Sequence, residues 1–222
     1  TAVTAHNVDG LLGLEVESNL LKLHHHIIKR VIDLFLVLVG LIIGLPVFAV
    51  IALFIRLDSP GAVIYRHERI GKNGKPFRLW TFRTMVHDAD EQLANLMEQD
   101  PALSEEWKAN HKIKNDPRIT RVGRWLRRSS LDELPQLVNI LVGEMSLVGP
   151  RPIVAEEVKH YENGIRLYEK VRPGLSGLWQ VSGRSDTSYR YRVSLDEYYI
   201  RHWSIWLDIY ILLKTVWVVL RH

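Results

Sequence analysis

The chain contains no cysteine in its 222 residues. That excludes a disulfide framework and a thiol nucleophile, and it agrees with a reducing compartment. Internal repeats and low-complexity tracts are also missing, which excludes solenoid, fibrous and linker-dominated architectures. No Gly-x-x-x-x-Gly-Lys-Ser/Thr loop, no Gly-x-Gly-x-x-Gly fingerprint and no Ser-His-Asp pattern occur, so the familiar phosphate loops and hydrolytic triads are not present. No recognisable nucleic-acid motif appears either. The apolar run beginning near Leu34 is not expected to be a signal peptide's core: it lies too far in, is too long, and precedes no small-x-small cleavage pattern.

What remains is a chain long enough for one globular domain with accessory segments, 47% hydrophobic and 24% charged. Its net charge of +4 favours anionic partners such as phospholipid, nucleotide or nucleic acid. Residue 1 is Thr, not Met, so the chain is expected to be part of something longer. Residues 1–28 read as a linker or juxtamembrane segment, weakly helical from Leu11 to Leu23 and ending in His24-His25-His26. Three adjacent His diverge on any regular element, so they do not make a metal site by spacing alone.

From Leu34 to Ile55 run 22 residues without a charge. One straight helix of that length covers about 33 Å, enough for a hydrocarbon core of about 30 Å. Two features favour a re-entrant helix over a spanning one. Pro46 lies near the middle and removes a helical hydrogen bond. Lys29 and Arg30 flank one end while Arg56, Arg66 and Arg69 flank the other, which places both ends on the cytoplasmic side. A kinked spanning helix stays open.

After Pro60 the chain turns soluble. Residues 62–66 and 77–81 read as strands of a hairpin around Gly71-Lys72-Asn73-Gly74. Residues 88–111 read as polar helix broken at Asp100-Pro101, and Asp116-Pro117 as the start of another. A helix follows Asp132 to Leu141, a helical stretch leads to Lys170, and 173–188 is loop-rich. Residues 200–220 place Trp203, Trp206, Tyr210, Leu213 and Trp217 at helical spacing, interrupted by charges, as suits an interfacial amphipathic helix; packing on the soluble core stays open.

The chemistry centres on Asp132-Glu133. Locally the pair looks structural, because Ser130-x-x-Glu133 has the form of a capping box and Asp132 would itself serve as N-cap before Pro135. Its neighbours add a second meaning. Arg118, Arg121, Arg124, Arg127 and Arg128 precede it, and a step of three residues spreads them over about half the circumference of a helix. Only the last, Arg127 or Arg128, falls near the carboxylates. Two carboxylates beside arginines suit a divalent cation, Mg²⁺ by preference, together with phosphate oxygens. Arg151, Arg172 and Arg184 lie in Gly- or Pro-marked turns, where a guanidinium fork can meet phosphate. The set points to phosphate handling.

Six blocks occur in order: Lys29-Arg30…Pro46, Trp80-Thr81-Phe82-Arg83-Thr84-Met85, Ser130-Leu131-Asp132-Glu133-Leu134, Met145 to Pro152, Val171-Arg172-Pro173-Gly174 and Gly183-Arg184. Together they resemble the bacterial sugar transferases, the monotopic polyprenyl-phosphate phosphoglycosyl transferases, over nearly the whole chain. One departure is Leu45 before Pro46, where some members have Ser. The resemblance implies a mainly α fold with a small β-hairpin: a re-entrant membrane helix (29–58, broken near Pro46), a compact cytoplasmic catalytic domain (59–199) and a C-terminal interfacial amphipathic helix (200–222). It implies that Asp132 attacks the β-phosphate of a UDP-sugar, releases UMP and passes the phosphosugar to undecaprenyl phosphate, with Glu133 and Asp132 holding Mg²⁺. Arg83, Arg127 and Arg184 would contact phosphates and Arg151 the nucleotide. The setting implied is the cytoplasmic face of the bacterial inner membrane, at the first membrane step of polysaccharide assembly. Anionic lipid is a further expected partner, nucleic acid is not, and a homodimer stays open. The alternative is a non-catalytic membrane-anchored module that binds lipid or scaffolds an assembly.

Overall fold

The computed structural model describes residues 3–8, 11–16, 19–99, 113, 116–183 and 188–221, and these are mostly helical. The chain opens with an antiparallel pair, β1 (Val3–Val8) and β2 (Leu11–Val16). This corrects the weakly helical reading of Leu11 to Leu23: apart from a single 3₁₀ turn at Asn19–Leu21, the stretch up to Val16 is strand. Asp9-Gly10 between two short apolar-rich runs is the sequence signal that favours a hairpin here.

Helix α1 runs Leu23–Asp58, 36 residues with Pro46 inside, or about 54 Å of axis. Helix extends on both sides of Pro46, so the proline costs its own hydrogen bond to the carbonyl four residues back without ending the element. Many apolar side chains of α1 point outward, among them Ile42, 76% exposed, and Leu45, 68%, while Val37, Ile51 and Ile55 are buried. Only 11% of its most apolar 18-residue window is buried. A core helix would bury that surface; this one is long and apolar enough to cross a membrane. The expected hairpin forms from β3 (Ile64–Ile70) and β4 (Pro76–Phe82), reversed by a 3₁₀ turn at Lys72–Gly74 where Asn73 and Gly74 take φ of 62° and 68°. Both values lie where Asn and Gly are the tolerated residues.

The chain divides into two compact units: Thr1–Ile43, Arg66–Trp80 and Gln136–His222 form the first, and Gly44–Tyr65 with Thr81–Pro135 the second. The first holds α4 (Gln136–Val142), α5 (Ile165–Tyr168), α6 (Leu178–Ser182), α7 (Tyr189–His202) and α8 (Ile205–Leu220). Strands β5 (Ser146–Val148) and β6 (Gly174–Ser176) pair in parallel there. The glycine-proline motifs make this pairing possible. A Cβ at Gly174 would sit 2.1 Å from Gly149 N, so only two glycines let these backbones cross. The helical stretch expected up to Lys170 is instead broken into 3₁₀ turns, Ala155–His160 and Glu162–Gly164, before α5.

Two carboxylates in the first unit, half-buried Asp208 and buried Asp33, are held by several donors each. Lys29 Nζ donates to Asp208 Oδ2 at 2.7 Å, and Tyr199 Oη and Trp203 Nε1 donate to the same carboxylate at 2.7 and 3.0 Å. Asp33 accepts from Ser146 Oγ at 2.6 Å and from Leu147 N at 3.3 Å. Such pairing is what makes ions in an interior tolerable. Asp196, also buried, takes a 2.7 Å bond from Tyr161 Oη, and burial pushes its pKa up to about 8.

The second unit has its own core of Ile51, Ile55, Phe82 and Leu126. Its other helices are α2 (Ala89–Gln99) and α3 (Arg121–Ser129). The expected continuation of α2 to residue 111 lies outside the described residues apart from its first part. The helix expected from Asp116-Pro117 starts later. Asp116 accepts from its neighbour Arg118 at N, Nε and Nη2 (3.0, 2.8 and 2.6 Å), closing a turn, and Thr120 takes over as N-cap by accepting from Gly123 N at 2.9 Å. A side chain that bonds its own local backbone competes with helix initiation.

Candidate active site

The site in the second unit is assembled around the segment 83–86. Residues 84–86 are stitched to 118–120: Thr120 N donates to Thr84 O at 3.1 Å, Val86 N to Arg118 O at 2.9 Å, and Met85 bridges Ile119. Helix α3 then passes so close that a Cβ on Gly123 would lie 2.0 Å from Thr84 O. One turn further on, Arg127 Nε donates to Thr84 Oγ1 at 2.9 Å. A fork held at one nitrogen keeps its remaining donors aimed in one direction.

Ser130 ends α3 in the left-handed conformation (φ 55°, ψ 18°) and folds its N–H back onto the last turn. A single 3₁₀ turn, Leu131–Glu133, follows and presents Asp132 and Glu133, both half-buried. This overturns both cap readings. A residue with positive φ lacks the extended geometry of an N-cap, and Ser130 makes no side-chain cap bond. Asp132 is not a helix cap either, because α4 begins only at Gln136, after Pro135. Asp132 therefore carries no helix-capping duty.

Burial raises the pKa of Asp132, while the Arg127 charge and a backbone hydrogen bond pull it back. Nearby, Asp116 and Arg118 form a buried ion pair with a 2.6 Å contact. Burial alone would lift Asp116, but Arg118's hydrogen bonds and charge outweigh it and hold the pKa below the ordinary value. Arg118 thus serves the fold, as does Arg83. Arg83 is buried, donating through Nη1 to Pro60 O at 2.5 Å and through Nη2 to Ser59 O at 2.6 Å. These are carbonyls just past the end of α1, of the kind a helix leaves without partners. The structure therefore brings Arg127, Asp132 and Glu133 together and gives Arg83 a structural task beside them. Thr84 was missed by sequence reasoning, although its place in the Trp80–Met85 block, next to Arg83, was the available signal.

Arg151 belongs to the first unit. Its guanidinium lies 5.7 Å from the Trp179 ring centroid, and that of Arg192 lies 4.8 Å from it. Arg69 is close in charge terms: its pKa is lowered by burial and then by Arg151. His67 is held neutral, its pKa lowered to about 4 by burial first and by Arg69 and Arg151 next. This is an electropositive, aromatic-backed surface suited to an anion. Arg172, the other turn arginine, spends its Nε on Gly143 O at 2.8 Å. Arg184 lies outside the described residues. Sequence reasoning missed Trp179 and Arg192, which flank Arg151 only after the chain folds.

Among the described residues no group of three or more His, Cys, Asp or Glu side chains gathers as a metal cage. Two adjacent carboxylates suit Mg²⁺, which commonly takes one or two protein carboxylates and fills its shell with water and substrate phosphate.

Comparison with known proteins gives the chain its family. The chain matches the bacterial sugar transferase family over residues 24–222. It is 48% identical over 211 residues to an uncharacterized sugar transferase of Haemophilus influenzae, covering 95% of this chain and 45% of that protein. It is 46% identical over 208 residues to the undecaprenyl-phosphate galactose phosphotransferase of Salmonella typhimurium, covering 94% and 44%. To the exopolysaccharide production protein ExoY of Rhizobium meliloti it is 46% identical over 188 residues, covering 85% and 83%. The chain thus spans less than half the length of the first two relatives and most of the third. A match over nearly every residue from α1 to the end of α8, including the Asp132-Glu133 turn, establishes that this chain belongs to the bacterial sugar transferase family.

Proposed function

We propose that the chain transfers a hexose-1-phosphate from a UDP-sugar to undecaprenyl phosphate, through a covalent bond to Asp132, at the cytoplasmic face of the bacterial inner membrane. One observation carries the reading: Asp132 stands on a left-handed reversal, free of any capping duty, beside an arginine that Thr84 holds in place. Family membership and the activity printed in the name of the Salmonella relative support it.

In the first half-reaction an Asp132 oxygen attacks the β-phosphorus of the donor. The bond from that phosphorus to the oxygen bridging the two phosphates breaks, and UMP leaves with the electron pair. In the second, a phosphate oxygen of the polyprenyl phosphate attacks the same phosphorus, releases the Asp132 carboxylate and yields the polyprenyl diphospho-sugar. Attack by an anion on an anion needs positive charge placed in advance, and Arg127 supplies it next to the nucleophile. When bound at Asp132 and Glu133, Mg²⁺ would add further neutralisation of the diphosphate. Within the first unit, we assign the nucleotide to Arg151, backed by Trp179 and Arg192. The raised pKa of Asp132 keeps its carboxylate basic, and protonation silences it as the pH falls through that value.

The acceptor is lipid, and the exposed apolar surface of α1 is the matching feature. We assign α1 a re-entrant path and α8 an in-plane one; at 16 residues α8 is short for a span and exposes Trp206 and Trp217. Exposed Arg121, Arg124 and Arg128 on α3 then meet anionic headgroups.

The test is a screen of UDP-sugars with undecaprenyl phosphate and Mg²⁺, read as UMP release. At least one donor should be turned over, and Asp132→Asn should lower the rate by about three orders of magnitude or more. Release of UMP by no donor, or retention of the rate in Asp132→Asn, overturns the reading.

A further inference from the structure

The exposed face of α1 is not evenly convex. In its second half, Val47, Val50 and Phe54 form one wall of an open groove of about 570 Å³, Val122 and Trp125 of α3 form the other, and Arg121 stands with them. Apart from Arg121 the lining is apolar. A convex apolar helix is adequately covered by fluid lipid, but a concave one with two rigid walls can hold a single chain in one place. An arginine at such a groove favours an amphiphile whose head is anionic.

The groove is also joined to the chemistry by one element. Helix α3 contributes the second wall at its beginning and Arg127 near its end, and Asp132 follows on the next turn. Arg121, Trp125 and Arg128 recur at i, i+4 and i+7, which puts them on one stripe. From Arg121 to Arg128 that stripe covers about 10 Å of axis. Fluid phospholipid needs no such track, whereas an acceptor whose phosphate must reach Asp132 does.

We propose that this groove seats the first isoprene units of the polyprenyl phosphate acceptor, with its phosphate drawn along the Arg121–Arg128 stripe toward Asp132. The assignment rests on the transferase reading and adds a place for the acceptor chain. It makes the groove, not the nucleotide surface, the determinant of which lipid is used.

Two measurements test it on the full chain in micelles. Val50→Trp and Val122→Trp fill the groove. In a variant that still exchanges labelled UMP into UDP-sugar, and so is folded, the KM for undecaprenyl phosphate should rise about tenfold or more. A KM within about twofold of the parent overturns the proposal, including when the same variant binds phosphatidylglycerol vesicles less well, which would make bulk lipid the occupant. Independently of any variant, an undecaprenyl phosphate analogue with a photoreactive group on its second isoprene should cross-link within 47–54 or 121–125. Cross-links confined to other segments overturn it. Because cross-linking needs no turnover, a chain that releases no UMP but labels in the groove would sink the transferase reading and not this one.

Discussion

Thr84 shows how much a single hydroxyl can decide. Its only assigned task is to accept the Arg127 Nε hydrogen bond, yet that bond fixes the cation beside Asp132. Thr84→Val keeps the shape and removes the acceptor. The KM for the UDP-sugar should rise about fivefold, matching roughly 1 kcal/mol of lost orientation, with kcat less affected. Thr84→Ser should restore it, an outcome that a purely structural role for the β-branched side chain does not give. Asp196 gives a different residue-scale signature. Folded, it keeps its proton up to about pH 8 because of burial, whereas an unfolded Asp loses it near 3.8. Between those values the native state holds the extra proton, so stability falls as pH rises, by up to about 1.4 kcal/mol per unit. Asp196→Asn stays neutral throughout, so urea unfolding at pH 6 and pH 8 should show a smaller loss of stability in the variant than in the parent.

At the scale of elements, Gly123 controls how near α3 comes to the Thr84 backbone. Gly→Ala inside a helix normally gains about 1 kcal/mol from backbone entropy. Here the added Cβ would lie 2.0 Å from a carbonyl oxygen, so the sign reverses. Gly123→Ala should lower the melting temperature, with a net cost of about 1–3 kcal/mol, and should reduce transfer by displacing Arg127. Elements dictated by local pattern were legible in the sequence: α1 from its uncharged run, α8 from its spaced tryptophans, and the β3–β4 turn from Asn73-Gly74. Elements set by distant partners were not. The β5–β6 pair joins residues whose own neighbourhoods suggest only turns, and the late start of α3 follows from Asp116 bonding Arg118 instead of the helix. The candidate site divides in the same way. The acidic pair and Arg127 stood out by type and spacing, but Thr84 acts across 43 positions of sequence, and the left-handed Ser130 that rules out the capping box has no signature of its own.

For the whole molecule, the proposed path of α1 has a direct consequence for sidedness. A chain without native cysteine allows single cysteines to be read without background. His25→Cys and Ala62→Cys should both react with an impermeant maleimide from the cytoplasmic side of sealed vesicles, and labelling from opposite sides would show a spanning helix. The Lys29–Asp208 bond adds a matter of timing. Its partners are 179 residues apart in sequence, and a ribosome adding about 5–20 residues per second needs roughly 10–35 s to cover that distance. For that interval Asp33, 3.9 Å away in the finished structure, is the counter-charge at hand for Lys29. The apolar run of α1 is therefore made well before α8 can neutralise its base. On the proposed membrane path, the Lys29–Asp208 pair closes only after α1 has had that interval to engage lipid.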